Sequence, residues 1–120
     1  MEERREYLLA LDGGTGSFRA ILFQKDGVQK AIEQIEWEHP VYDEYPGSVG
    51  FDFEKNWEII QRCIRNLIEK NNIAPEDIKG ISTDSMREGF ILYDENQKEL
   101  IGFSNIDARA KEEVISLKRE

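Results

Sequence analysis

The sequence predicts an α/β fold with a mixed sheet. Short apolar strand-like runs lie on both sides of one long amphipathic stretch, and a further strand-like run follows that stretch behind a proline turn. The order strands, helix, strand, hairpin, helix is that of an α/β class with a mixed sheet. Its completion within this length is not expected.

Residues 7 to 11 and 19 to 23 read as two strands joined by a glycine-rich bend, and partial alternation in residues 28 to 38 (VQKAIEQIEWE) adds a third, giving an N-terminal β-meander. The next stretch, HPVYDEYPGSVGFD, holds Pro40, Pro46, Gly47 and Gly50 and cannot continue a central strand. It reads as a long surface connection of the kind that carries function or serves as a packing arm. Asp52 then stands as an N-cap. After it Phe53, Trp57, Ile60, Ile64, Leu67 and Ile68 recur at helical spacing, with Cys63 on the same side, to an end near Asn71-Asn72. A strand over Ile78 to Thr83 emerges from a turn at Pro75. The hairpin FILYD and ELIGF, turning at Glu95-Asn96, comes next, and helix formers run from Ala108 onward.

Composition narrows the function. The 120 residues suit a single domain, with 39% hydrophobic and 34% charged content. A net charge of −9 repels nucleic-acid backbones and anionic membranes, so neither is expected as a partner. The first apolar run ends at Asp12, too early for a signal-peptide core or a membrane span, and the single cysteine, Cys63, forms no internal disulfide and reads as a buried core thiol. The expected location is therefore the cytoplasm.

Three short stretches crowd polar residues where strands end. The first is Asp12-Gly-Gly-Thr-Gly-Ser-Phe-Arg19. It lacks the Gly-Lys-Ser/Thr of a Walker loop, and where a dinucleotide fingerprint would need its third glycine it has Arg19. Two readings stay open: a tight turn whose glycines supply positive φ, or a phosphate hairpin. In the second, backbone N–H groups around Gly14 and Gly16 and the hydroxyls of Thr15 and Ser17 face an anion, Arg19 adds a guanidinium, and Asp12 holds a metal through water. Asp84-Ser-Met-Arg-Glu88 is either a solvated turn or a polar clamp at a strand's C-terminal end, with Arg87 and Glu88 bonding substrate hydroxyls. In Asn105-Ile-Asp107-Ala-Arg109 the commoner role for Asp107 is a helix N-cap, and His39 reads as a surface residue.

Taken in order, LALDGGTGSFRAILF, PGSVGFDFEKNW, SMREGFILYD and NIDARA resemble segments of the FGGY family of carbohydrate kinases across essentially the whole chain. SMREG and NIDARA resemble the branch that acts on autoinducer-2, a linear, hydroxyl-rich signalling molecule. The resemblance implies a ribonuclease-H-like, actin-like ATPase fold, with ATP and Mg²⁺ as cofactors and a sugar or polyol (autoinducer-2-like, glycerol or pentulose type) as substrate. By it Asp12, Gly14, Thr15, Gly16, Ser17 and Arg19 face the ATP phosphates and Mg²⁺, while Met86, Arg87, Glu88 and Asp107 lie on the substrate side. It further implies that residues 1 to 120 are the N-terminal part of the kinase's substrate-side domain. The C-terminal domain would then be absent and the catalytic aspartate would lie beyond residue 120, leaving the chain inactive alone. An incomplete domain is also expected to pair as a homodimer or higher oligomer. The alternative is a non-catalytic actin-like module that binds a small polyol or a protein partner.

Overall fold

The computed structural model describes residues 5–119, which divide into two compact units. One runs through Trp37 and from Glu54 to Met86; the other joins Glu38–Phe53 to the chain from Arg87 onward.

The first unit is a four-stranded sheet in the order β3-β2-β1-β4, built from β1 (Tyr7–Gly13), β2 (Ser17–Gln24), β3 (Gln29–Glu36) and β4 (Ile78–Ser85). Strands β1, β2 and β3 form the expected antiparallel meander. β4 lies parallel to β1, and parallel neighbours need a crossover of a dozen residues or more. The helix α1 (Phe53–Lys70) supplies it, beginning directly after Asp52.

Pattern explains which side the helix covers. Asn56, Ile59, Cys63 and Leu67 recur at three- and four-residue intervals and are buried. On the sheet, Tyr7, Leu9, Phe18, Ala20 and Leu22 are buried, and the pairing of Leu9 with Leu22 puts these strands' apolar positions on one face. Cys63 seats the helix there, its thiol reaching the Glu33 carbonyl at 3.3 Å, and burial raises its pKa. The expected core thiol is thus observed. At the other end Asn72 takes a left-handed φ of 51°, so that the Asn72 N–H reaches the Glu69 carbonyl and the Ile73 N–H reaches the Ile68 carbonyl at 3.0 Å. These paired bonds close the last turn, and the buried Ile73 packs behind it. A single 3-10 turn, Pro75–Asp77, then delivers the chain to β4.

The second unit contains the hairpin of β5 (Phe90–Tyr93) and β6 (Glu99–Phe103) and the short helix α2 (Lys111–Leu117). The long connection is a packing arm here, with Ser48 and Gly50 buried. Gly50 bridges Phe103, the Ser104 N–H donates to the Val49 carbonyl at 2.9 Å, and the Ala108 N–H donates to the Gly47 carbonyl at 2.7 Å. His39 departs from its expected surface position. It is half-buried and stacks on Phe51 with ring centroids 5.5 Å apart.

Asp107 is not the N-cap of α2; that position falls to Ala110. Its carboxylate instead accepts the Val49 N–H at 2.7 Å, the Arg109 backbone N–H at 3.1 Å and the Arg109 guanidinium at 2.6 Å. These bonds tie residues 107 to 109 into a turn, which is why the helix starts at Lys111 and not at Ala108. The guanidinium also lies 4.6 Å from the Phe103 ring centroid, 5.6 Å from that of Tyr42 and 5.8 Å from that of Tyr45. Hydrogen bonding from Arg109 holds the Asp107 carboxyl below the ordinary carboxylate range.

Two predictions follow from these contacts. Both side-chain polar atoms of the buried Asn56 lack a hydrogen-bond partner among the described residues, a state that costs on the order of 1–3 kcal/mol. Asn56→Leu keeps the branched outline and should raise stability by about 1 kcal/mol after some overpacking, read as a higher urea midpoint; an unchanged or lower midpoint would refute this. For Asp107, a depressed folded pKa means that its stabilisation is present above the unfolded value near ~3.9 and is lost as pH falls through the folded value. Thermal melts of the unmodified chain and Asp107→Asn should therefore differ most near neutrality and converge in acid, and a gap independent of pH would count against it.

Candidate functional site

The first constellation lies where β1 ends and β2 begins. In-register pairing sets Asp12 beside Arg19 on one side and Asp84 on the other, so the three side chains share one face across adjacent strands. Arg19 closes an ion pair onto the Asp12 carboxylate, and both side chains are partly open to solvent. Asp84 accepts the N–H of Ser85 at 2.8 Å.

Between the strands the chain passes through Gly14, Thr15, Gly16 and Ser17. Neither Gly14 nor Gly16 has a positive φ; in the described glycines that conformation occurs at Gly27 and Gly47. Space explains Gly13 and Gly14. A Cβ on Gly13 would stand 3.4 Å from Trp37, and one on Gly14 would stand 3.2 Å from the Ser17 carbonyl. Gly16 differs, for a Cβ there would meet no atom within 4 Å. Of the two readings left open for these glycines, the one that needs positive φ is thereby set aside: at Gly16 the missing side chain leaves open room beside the backbone.

Trp37 went unnoticed in the sequence although it is central to this bend. Its indole N–H donates to the Gly14 carbonyl at 3.0 Å and to the Thr15 carbonyl at 3.2 Å, and its backbone N–H donates to the Gly16 carbonyl at 3.2 Å. The only signal available was a tryptophan closing an alternating strand.

Met86 belongs to the same unit, since its N–H donates to the Gly13 carbonyl at 2.8 Å and carries the β1–β4 pairing one residue past Ser85. Asp12, Gly14, Thr15, Gly16, Ser17, Arg19 and Met86 are thus gathered at one end of the sheet. Arg87, Glu88 and Asp107 are in the second unit, with Arg87 and Glu88 exposed. Glu88 has a φ of 66°, a left-handed conformation that costs a residue with a Cβ about 1–2 kcal/mol. Asp107 is committed to Val49 and Arg109 as described above.

For metal binding, no group of three or more His, Cys, Asp or Glu side chains converges among the described residues. Asp12 and Asp84 offer two carboxylates in register, which suits a hydrated Mg²⁺ that keeps most of its waters. No helix among the described residues is long and apolar enough to cross a membrane.

Comparison with known proteins places the chain in a family. Residues 7–120 match the FGGY family of carbohydrate kinases, N-terminal domain. The chain is 45% identical over 116 residues to an autoinducer-2 kinase of Salmonella paratyphi A, covering 97% of this chain and 22% of that protein. It is 46% identical over 112 residues to the autoinducer-2 kinase of Klebsiella pneumoniae, covering 93% and 21%. The fold is shared with a gluconate kinase from Lactobacillus acidophilus at a TM-score of 0.80 and 22% identity, over 96% of this chain and 23% of the other. It is shared also with a glycerol kinase from Plasmodium falciparum at a TM-score of 0.70 and 18% identity, over 97% and 23%. The chain thus spans about a fifth of the length of its relatives. With its mixed sheet, its glycine bend and a match to the family's N-terminal domain over residues 7–120, the chain belongs to the FGGY family of carbohydrate kinases.

Proposed function

We propose that this chain is the segment of an ATP-dependent carbohydrate kinase that presents a phosphate-facing loop and a hydroxyl-binding clamp. The favoured substrate is a linear polyol of the autoinducer-2 type, ahead of glycerol or a pentulose. One observation carries the reading: identity of 45% to proteins named autoinducer-2 kinase, sustained over nearly the whole chain.

Each residue has a task in this reading. The backbone N–H groups of Thr15, Gly16 and Ser17, with the two hydroxyls, hold the nucleotide's terminal phosphates, and the open space at Gly16 lets them approach closely. Arg19 neutralises phosphate charge and keeps Asp12 in place between events. Bound Mg²⁺ would spread the charge that builds on the transferring phosphoryl group, with Asp12 orienting its water shell and Asp84 alongside. Arg87 and Glu88 bond the acceptor's hydroxyls, and Met86 supplies apolar contact beside them. Asp107, whose carboxylate is already engaged by three donor groups, serves the substrate side by fixing the turn after β6. The proton acceptor for the attacking hydroxyl belongs to the remainder of the kinase, so the isolated chain is not expected to turn over. The cytoplasm, where ATP is abundant, is the proposed setting.

This division of labour predicts two kinetic signatures in the full-length kinase. Asp12→Ala should lower kcat by a hundredfold or more, as loss of charge stabilisation in the transition state does. Arg87→Ala should raise KM for the polyol about tenfold or more, the worth of a hydrogen bond from a charged donor, and leave KM for ATP nearly unchanged. Steady-state assays with the autoinducer-2 precursor and with glycerol decide it, and a change confined to the ATP KM in both variants would sink the assignment.

We also propose that the chain self-associates through β4. That strand ends the sheet, and Ile81, in register with the buried Leu9, is 64% exposed. An open strand edge beside exposed apolar surface favours pairing with a second copy. Charge of −9 opposes this but is screened beyond about 10 Å at 0.1 M salt. Sedimentation should show a concentration-dependent dimer that Ile81→Lys weakens; a monomer at every concentration and salt would end the proposal.

A further inference from the structure

We infer that Trp37 is the positioning residue of the glycine bend, the side chain that turns its amide donors toward an anion. The inference deepens the kinase reading above and rests on it for the identity of the anion.

The geometry starts from three consecutive carbonyls. Those of Gly14 and Thr15 share the indole N–H at 3.0 and 3.2 Å, and that of Gly16 takes the Trp37 backbone N–H at 3.2 Å. The described peptides are all trans. In a trans peptide the carbonyl of one residue and the N–H of the next point in opposite directions. Drawing the carbonyls of 14, 15 and 16 toward Trp37 therefore turns the N–H groups of Thr15, Gly16 and Ser17 away from it. Successive amides with parallel N–H groups form a concavity for an oxyanion.

The anchor is itself rigid. Trp37 is 6% exposed, its ring lies 5.8 Å from that of the buried Phe18, and it closes on Gly13 so that a Cβ there would stand at 3.4 Å. At Gly16 an added Cβ would meet no atom within 4 Å, which leaves room for a ligand close to the backbone. A loop whose carbonyls are held in advance has less ordering left to do when a phosphate arrives, and that difference appears as affinity. An indole suits the task because it has one donor and no acceptor, so it cannot compete with the loop for its own N–H groups.

The test compares amide order in the ¹⁵N-labelled chain and two variants. Trp37→Phe keeps a ring against Gly13 and Phe18 but removes the donor; Phe18→Leu loosens the ring and keeps the donor. Order parameters for Thr15, Gly16 and Ser17, at about 0.85 in the unmodified chain, should fall below about 0.6 in Trp37→Phe and stay in the rigid range in Phe18→Leu. Inorganic pyrophosphate should shift the same amides, with at least threefold weaker affinity in Trp37→Phe. Unchanged loop order in Trp37→Phe overturns the inference. Loss of the β1–β2 cross-strand connectivities in that variant overturns it as well, for Trp37 would then be a determinant of folding at large. The unmodified chain gives a check that needs no variant: the Trp37 indole hydrogen should exchange slowly with deuterium, and exchange as fast as that of the exposed Trp57 would also overturn the inference. Should pyrophosphate shift no loop amide in any chain while order still falls in Trp37→Phe, the phosphate reading fails and the role of Trp37 stands.

Discussion

The parallel pairing of β1 with β4, from Tyr7 beside Ile78 to Gly13 beside Ser85, is the constraint on which the first unit depends. It joins segments about seventy positions apart, so its closure entropy must be offset by something between them. The meander supplies two more strands, and α1 supplies the cover that makes a parallel pair worth forming. Once the pair exists, chemistry collects at one end. The glycine bend leaves β1 where Asp84, Ser85 and Met86 leave β4, the carboxyl end at which sheets of this class receive ligands.

Elements with a strong period were legible in the sequence. The helix was visible because Phe53, Trp57, Ile60, Ile64, Leu67 and Ile68 recur at helical spacing, but the face was misjudged: the buried side is Asn56, Ile59, Cys63 and Leu67, and Trp57 is exposed, because the same spacing fits two adjoining stripes. Its end at Asn71-Asn72 was visible because asparagine tolerates the left-handed conformation that the closing turn needs. The strands were visible but ran two residues further than expected, to Gly13 and to Ser85, since neighbouring backbone extends a ladder without any pattern in the side chains. The glycines of the bend were located correctly, and of the two uses the sequence left open for them the structure supports space and not positive φ. Trp37 escaped notice for a related reason. Its partners are backbone carbonyls more than twenty residues earlier, and a carbonyl has no letter in the sequence.

Asp107 and Arg109 show the same limit from another side. An acid ahead of helix formers is ordinarily a cap, and here a nearby guanidinium and the Val49 N–H outcompete the helix for it. The pair is largely shielded, with the guanidinium among Phe103, Tyr42 and Tyr45, which makes a planar cation with several donors the fitting residue. Two tyrosines in a loop were the signal that this segment is folded down and not solvated.

The holding of the glycine bend by Trp37 also has a bearing on local unfolding. Trp37 follows directly on β3, the edge strand farthest from β4, and β3 is fastened to α1 by the Cys63 thiol on the Glu33 carbonyl and by Lys70 on the Glu33 side chain at 2.8 Å. Edge strands open more readily than central ones, with free energies below that of global unfolding. Each time β3 lifts, the bend loses its anchor although β1 and β2 remain paired. The order of the bend's amides is therefore no greater than the local stability of this one strand, and the carboxyl-terminal half of α1, which never approaches the bend in sequence, belongs to the same cooperative unit.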